Sequence, residues 1–147
     1  MRTLITLICI AVTSACSQLK LYEAEKFYIA GDVKTAENIW TSLSHSGNTE
    51  AQNKLGFLYT GGWGIKQNHK LGISFYRRSA ETGYVDSQHD LGRLYLEGRV
   101  VEKNVSLAIK WLTRAADGGY AMAIIDLADL YLSGEHLKQD VEKGNYW

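Results

Sequence analysis

The side chains able to do chemistry in this chain are few, and their spacing argues against catalysis. Four histidines, His45, His69, His89 and His136, show no i, i+4 pair and no nearby carboxylate companion of the kind a zinc site uses. The serine motifs Ser-x-x-Lys and Gly-x-Ser-x-Gly and the glycine-rich phosphate loops are absent. Gly62-Trp63-Gly64 has the look of a nucleotide turn, yet no strand precedes it, and a helix stop explains it better. The expectation is a protein without catalytic residues, metal or cofactor. Lysine plus arginine equals aspartate plus glutamate at 16 each, which leaves no basic footprint for a nucleic acid.

The only two cysteines, Cys9 and Cys16, both lie near the N-terminus, so the rest of the chain has no disulfide framework. Residues 1–15 carry one basic residue, Arg2, then an apolar run from Leu4 to Val12, then small residues, the layout of a secretory signal. Thr13-Ser14-Ala15-Cys16 resembles a bacterial lipobox, with Thr13 where leucine is usual. That resemblance implies cleavage before Cys16 and lipidation of its thiol, and Ser17 in the next position implies delivery to the outer membrane. Ordinary cleavage after Ala15, giving a soluble periplasmic or secreted chain, stays open. Residues 16–20 then read as a short anchor linker.

Everything after that is built on one period. Leu55, Leu91 and Leu127 fall 36 residues apart, as do Tyr59, Tyr95 and Tyr131, and Gly62, Gly98 and Gly134. Such a period means stacked supersecondary units. The units are expected at 51–86, 87–122 and, in part, 123–147, with a degenerate tetratricopeptide-like unit at 21–50. Gly62, Gly98 and Gly134 should end first helices and Gly83 and Gly119 second ones, in left-handed conformations. Asn68, Asn104 and Asp140 should cap the second helices. Gly56 and Gly92 fall inside helices at a cost of up to about 1 kcal/mol each, which predicts crossings where backbones nearly touch.

Leu55-Gly56, Tyr59, Gly62, Ile65, Asn68, Phe75-Tyr76, Ala80 and Gly83 make one copy of a pattern. Leu91-Gly92, Tyr95, Gly98, Val101, Asn104, Ala108, Trp111, Ala115-Ala116 and Gly119 make another. This pattern resembles the Sel1-like repeat over 51–147 and partly over 21–50. Gly72 stands where the next unit has Ala108, and Ala128 where the others have glycine. The resemblance implies an all-α fold, an α-solenoid of antiparallel helix pairs in a right-handed superhelix, with first helices lining a concave surface. It implies an adaptor that holds another protein, either an envelope component or, for an immunity protein, a secreted toxin. A cysteine-rich branch of the family binds or slowly hydrolyses β-lactams, but this chain lacks that branch's cysteines. A peptidoglycan- or β-lactam-directed enzyme is therefore the more distant alternative.

Positions that break the period are the candidates for binding. On the first helices, Asn53/His89/Ile125, Phe57/Arg93/Asp129 and Thr60/Leu96/Leu132 change chemistry while Leu58/Leu94/Leu130 does not. Trp63 is the exposed aromatic expected in a loop, and tryptophan is common in hot spots. The expected partner-binding set is Phe57, Trp63, His89, Arg93, Leu96, Glu97 and Asp129. The recurring aromatics, Trp40, Tyr76 and Trp111 among them, are expected in the core. The apolar residues of the last unit, Leu137, Tyr146 and Trp147, suggest self-association through the C-terminal repeat.

Overall fold

A computed structural model describes the backbone of residues 2–147 and the side chains from residue 14 onward; the side chains of the expected signal segment up to residue 13 lie outside the described residues. Among the described residues eight helices follow one another: α1 (Arg2–Ile29), α2 (Val33–His45), α3 (Thr49–Gly61), α4 (His69–Glu81), α5 (Val85–Glu97), α6 (Val105–Asp117), α7 (Ala121–Ser133) and α8 (Val141–Tyr146). No strand occurs among the described residues. Each helix packs chiefly on its neighbours in the chain. The result is the expected all-α solenoid of helix pairs.

Helices α2 to α7 are all thirteen residues long, and the first and second helices of the repeating units are each bounded by recurring signals. Asp32, Asn68, Asn104 and Asp140 each accept a hydrogen bond from the backbone N–H three residues on, at 2.9–3.1 Å, which satisfies an orphan donor of the second helix. The N–H groups of Asn68, Asn104 and Asp140 in turn donate to the carbonyls of Tyr59, Tyr95 and Tyr131 at 2.8–2.9 Å. One residue thus starts the second helix and ties it back to the first. Gly62, Gly98 and Gly134 close α3, α5 and α7 at φ near +70°, a conformation that L side chains avoid. Helix α3 begins at Thr49, two residues before the expected boundary, since Asn48 caps it through Ala51 N at 2.8 Å. Residues 16–20 are helical and continuous with α1, and the packed part of α1 begins at Leu21.

Three apolar clusters succeed one another along the stack. Leu21, Ala24, Trp40, Leu43 and Leu55 form the first, Ile73, Tyr76, Leu91 and Trp111 the second, and Leu112, Ala115, Ala123 and Leu127 the third. The recurring aromatics lie in this core, as their period requires. The glycines inside helices lie at the crossings, where side chains as well as backbone meet them. A Cβ on Gly56 would meet the Tyr76 ring at 2.7 Å and one on Gly92 would meet Leu112 Cγ at 2.6 Å. Side chains of the second helix fill those spaces, and backbone approaches there as well, since a Cβ on Gly92 would also lie 3.3 Å from Ala108 O. The tight backbone approach falls on Gly72, where a Cβ would lie 2.9 Å from both Gly56 O and Thr60 N. In the last pair Ala128 carries the methyl and Gly144 lacks one. Each helix pair from α3 onward keeps at least one glycine at its crossing.

The seam between units is polar as well as apolar. Asn53 Nδ2 on α3 donates to Asp90 Oδ2 and Ser87 Oγ on α5, both at 2.9 Å. Ser87 Oγ donates to Ser79 Oγ, which donates to Thr49 O, each at 2.8 Å, so the chain of bonds crosses three helices. One period later His89 Nε2 on α5 lies 2.9 Å from Asp126 Oδ2 on α7. The donor changes from asparagine to histidine while the aspartate recurs. Gln52 and Gln88, also one period apart, donate to the carbonyls of Ser44 and Ala80 near the ends of the preceding second helices, at 3.4 and 3.0 Å. Burial pushes the Asp90 carboxyl above its ordinary value, against the opposing pull of the Asn53 amide.

The degenerate first unit joins the stack through a buried carboxylate. Glu37 occupies the column that holds Ile73 and Ile109, and it is buried. It accepts from Tyr59 Oη and from Lys34 Nζ, the latter at 2.7 Å. Burial alone would raise this carboxyl, but the Lys34 ammonium and Tyr59 hydroxyl outweigh it and hold Glu37 below its ordinary value. Burial and the bond to that carboxylate push Tyr59 up to about 12.

Three measurements test this account. Gly72→Ala should destabilise the fold by about 1–2 kcal/mol in chemical denaturation, because the overpacking of a backbone crossing outweighs the gain in helix propensity. A neutral or stabilising result would contradict the crossing. Asn53→Leu should cost about 2–3 kcal/mol by leaving the Asp90 carboxylate without its donor. Asp90→Asn keeps an acceptor and should stay within about 1 kcal/mol of wild type. Finally, a carboxylate with a depressed folded-state pKa contributes stability above its unfolded pKa and loses it as pH falls through the folded one. Glu37, Asp32 and Asp140 are all held low, so melting temperature should fall on acidification below the ordinary carboxylate range. Glu37→Gln should flatten that fall, and an unchanged acid profile in the variant would remove Glu37 from the account.

Candidate docking groove

The stack brings most of the period-breaking residues to one place. Arg93, Leu96 and Glu97 on α5 and Asp129 on α7 line a single open groove of about 850 Å³. That size falls within the usual range of ligand pockets. Arg93 and Asp129 occupy equivalent positions of successive first helices, and Leu96 faces its own equivalent, Leu132. Helix α5 places Arg93 and Glu97 one turn apart, so the guanidinium Nη2 donates to Glu97 Oε1 at 3.2 Å. Both side chains are solvent-exposed, and their pairing leaves the arginine free to meet another partner.

The remaining lining was not apparent from the first-helix columns. Arg99 and Lys103 come from the α5–α6 loop, and Glu135 and His136 from the α7–α8 loop. Lys103 Nζ donates to His136 Nδ1 at 3.1 Å and so links the two loops. The signal for this was a broken loop column. Gln67 and Gln139 donate to the carbonyls of Thr60 and Leu132 at 2.7 Å, whereas Lys103 stands between them at the same register and points elsewhere. Asp126 also lines the groove and is held there by His89.

His89 itself is a correction. It is 7% exposed, packed against the Tyr120 ring at 5.0 Å between centroids, and bonded to Asp126. Its difference from Asn53 reflects a substituted donor in the seam between units, so it presents no surface to a partner. Folding also supplies the carboxylate companion that the linear spacing lacked. Phe57 and Trp63 are exposed at 44% and 56% and stack on each other at 6.2 Å with planes 16° apart. They form an aromatic pair on α3 and its following loop, outside the lining of the α5–α7 groove. Cys16 is an exposed free thiol on α1. No group of His, Cys, Asp and Glu among the described residues could hold a metal ion, and no helix among them is long and apolar enough to cross a membrane.

Comparison with known proteins agrees with this geometry. The Sel1 repeat model matches residues 49–84, 85–120 and 121–147, units that start where α3, α5 and α7 start. The fold is similar to the crystal structure of a Sel1 repeat protein from Oxalobacter formigenes, with 27% identity and a TM-score of 0.77 over 86% of this chain and 52% of that one. It is also similar to a protective antigen present in uropathogenic Escherichia coli strains that displays the SLR fold. There the identity is 24% and the TM-score 0.80, over 97% of this chain and 31% of that one. The chain thus spans about half and about a third of the length of these two proteins. No curated protein sequence matches it. With three matched repeats across α3 to α8, the chain belongs to the Sel1 repeat family.

Proposed function

We propose that this protein is a non-enzymatic adaptor of the bacterial periplasm, anchored by a lipid on Cys16, that holds a partner protein in the α5–α7 groove. Sel1 repeat proteins are generally protein-interaction adaptors. The observation that carries the reading here is the gathering of Arg93, Leu96, Glu97 and Asp129 in one groove. Arg93, Glu97 and Asp129 do not recur with the period, so packing does not account for them. Exposed arginine beside apolar lining is the composition of an interaction hot spot. The lipobox-like Thr13-Ser14-Ala15-Cys16 supports the anchor, with the outer membrane as its destination from Ser17. Several acyl chains on one cysteine would hold the protein firmly, at about 0.8 kcal/mol per buried methylene.

Two linked measurements test the proposal. Metabolic labelling with a radioactive fatty acid should mark the wild-type chain and leave Cys16→Ser unmarked; an unlabelled wild-type chain would remove the anchor. Cross-linking in living cells from a photoreactive residue placed at Leu96 should trap a defined protein, and the charge-reversing pair Arg93→Glu and Arg99→Glu, which leaves acidic residues on both sides of the groove, should abolish the adduct. The same adduct at the same yield in the charge-reversed protein would overturn the groove as the docking site.

A further inference from the structure

The charges that line the α5–α7 groove are sorted by wall. Arg93, Arg99 and Lys103 belong to α5 and the loop that follows it, while Asp126, Asp129 and Glu135 belong to α7 and its loop. Glu97 moderates the first wall as the partner of Arg93, and His136 on the second is an acceptor for Lys103. The α5 side therefore carries three cations against one carboxylate, and the α7 side three carboxylates and no arginine or lysine. Leu96, Leu130 and Leu132 supply apolar lining. The sorting does not come from the repeat, because position 129 is acidic where position 93 is basic.

A partner that satisfies both walls must present opposite charges to opposite sides. An extended chain does this when acidic and basic residues alternate, since successive side chains of a strand point to opposite sides. We propose that the groove takes an extended peptide segment of the partner in which acidic residues alternate with lysine or arginine. Its acidic side faces Arg93, Arg99 and Lys103, and its basic side faces Asp126, Asp129 and Glu135. A uniformly basic or acidic segment would meet one favourable wall and one repulsive one. Like-charge juxtaposition is a strong source of discrimination. The inference rests on the adaptor reading and adds the chemistry of what is held.

The test is direct binding of short labelled peptides to the full chain at low ionic strength, where exposed charges are least screened. An alternating glutamate–lysine peptide should bind at least about tenfold more tightly than its block isomer of the same composition. Arg93→Glu with Arg99→Glu makes both walls acidic. That variant should lose the alternating peptide by about tenfold and prefer an all-lysine one. Adding Asp129→Lys and Glu135→Lys exchanges the walls and should restore the alternating peptide, because a shift of one residue realigns it. This recovery distinguishes charge sorting from damage to the fold. Equal affinity for alternating and block peptides, or no recovery in the exchanged protein, overturns the inference. If either occurs while the cross-link at Leu96 still depends on the groove charges, the adaptor reading stands and only the alternation falls.

Discussion

The structure depends on the fact that a pair of thirteen-residue helices cannot stand alone. Helices of that length are marginal in water even with favourable sequences, and most of their stability comes from packing an apolar face. The inner pairs have such a face on both sides and draw their stability from their neighbours. That requirement explains why so much of the sequence is spent on register. A second helix that started one residue late would turn its core face by about 100°, as the 3.6-residue turn dictates. The Asn68, Asn104 and Asp140 caps, each bonded back to a tyrosine carbonyl of the first helix, remove that freedom.

The seams between units add direction to the apolar burial. Hydrophobic contact is roughly proportional to area and tolerates sliding. A hydrogen bond from Asn53 to the buried Asp90 tolerates very little. The same column pair, served by His89 and Asp126, sets α5 against α7, and the groove is the space between those two helices and their loops. The geometry of the candidate site is thus fixed by bonds beneath it. Asp126 belongs to both, since it binds His89 on one side and lines the groove on the other.

Much of this was legible in the sequence because the period is physical. Glycines with positive φ, side-chain caps and core aromatics must recur when the unit recurs, and they do so in the structure at Gly62 and Gly98, Asn68 and Asn104, and Trp40 and Tyr76. What misled was the rule that variation means exposure. His89 varies because asparagine and histidine are both competent donors to one aspartate, and a donor column can drift while its acceptor is held. The Gly56 and Gly92 columns recur because one second-helix position, Tyr76 and then Leu112, fills the space of a Cβ, and the sequence marked the crossing without naming what fills it. The loop half of the groove was invisible for a related reason. Loops share register less strictly than helices, and Lys103 is informative only beside the carbonyl-capping Gln67 and Gln139.

The division between held and drifting positions also explains where a solenoid of this kind acquires specificity. A substitution in the core column empties or overfills a site and is costly at once, whereas one on an exposed helix face costs almost nothing. Divergence therefore accumulates on the faces that the stack leaves open. Here it has placed a phenylalanine, an arginine and an aspartate at equivalent positions 57, 93 and 129. Phe57 recruits Trp63 into an aromatic pair, while Arg93 and Asp129 end on facing walls of one groove. Three copies of one fold unit thus carry three chemistries along a single stripe. The frame beneath them does not change, so the stripe can be altered residue by residue without disturbing the stack.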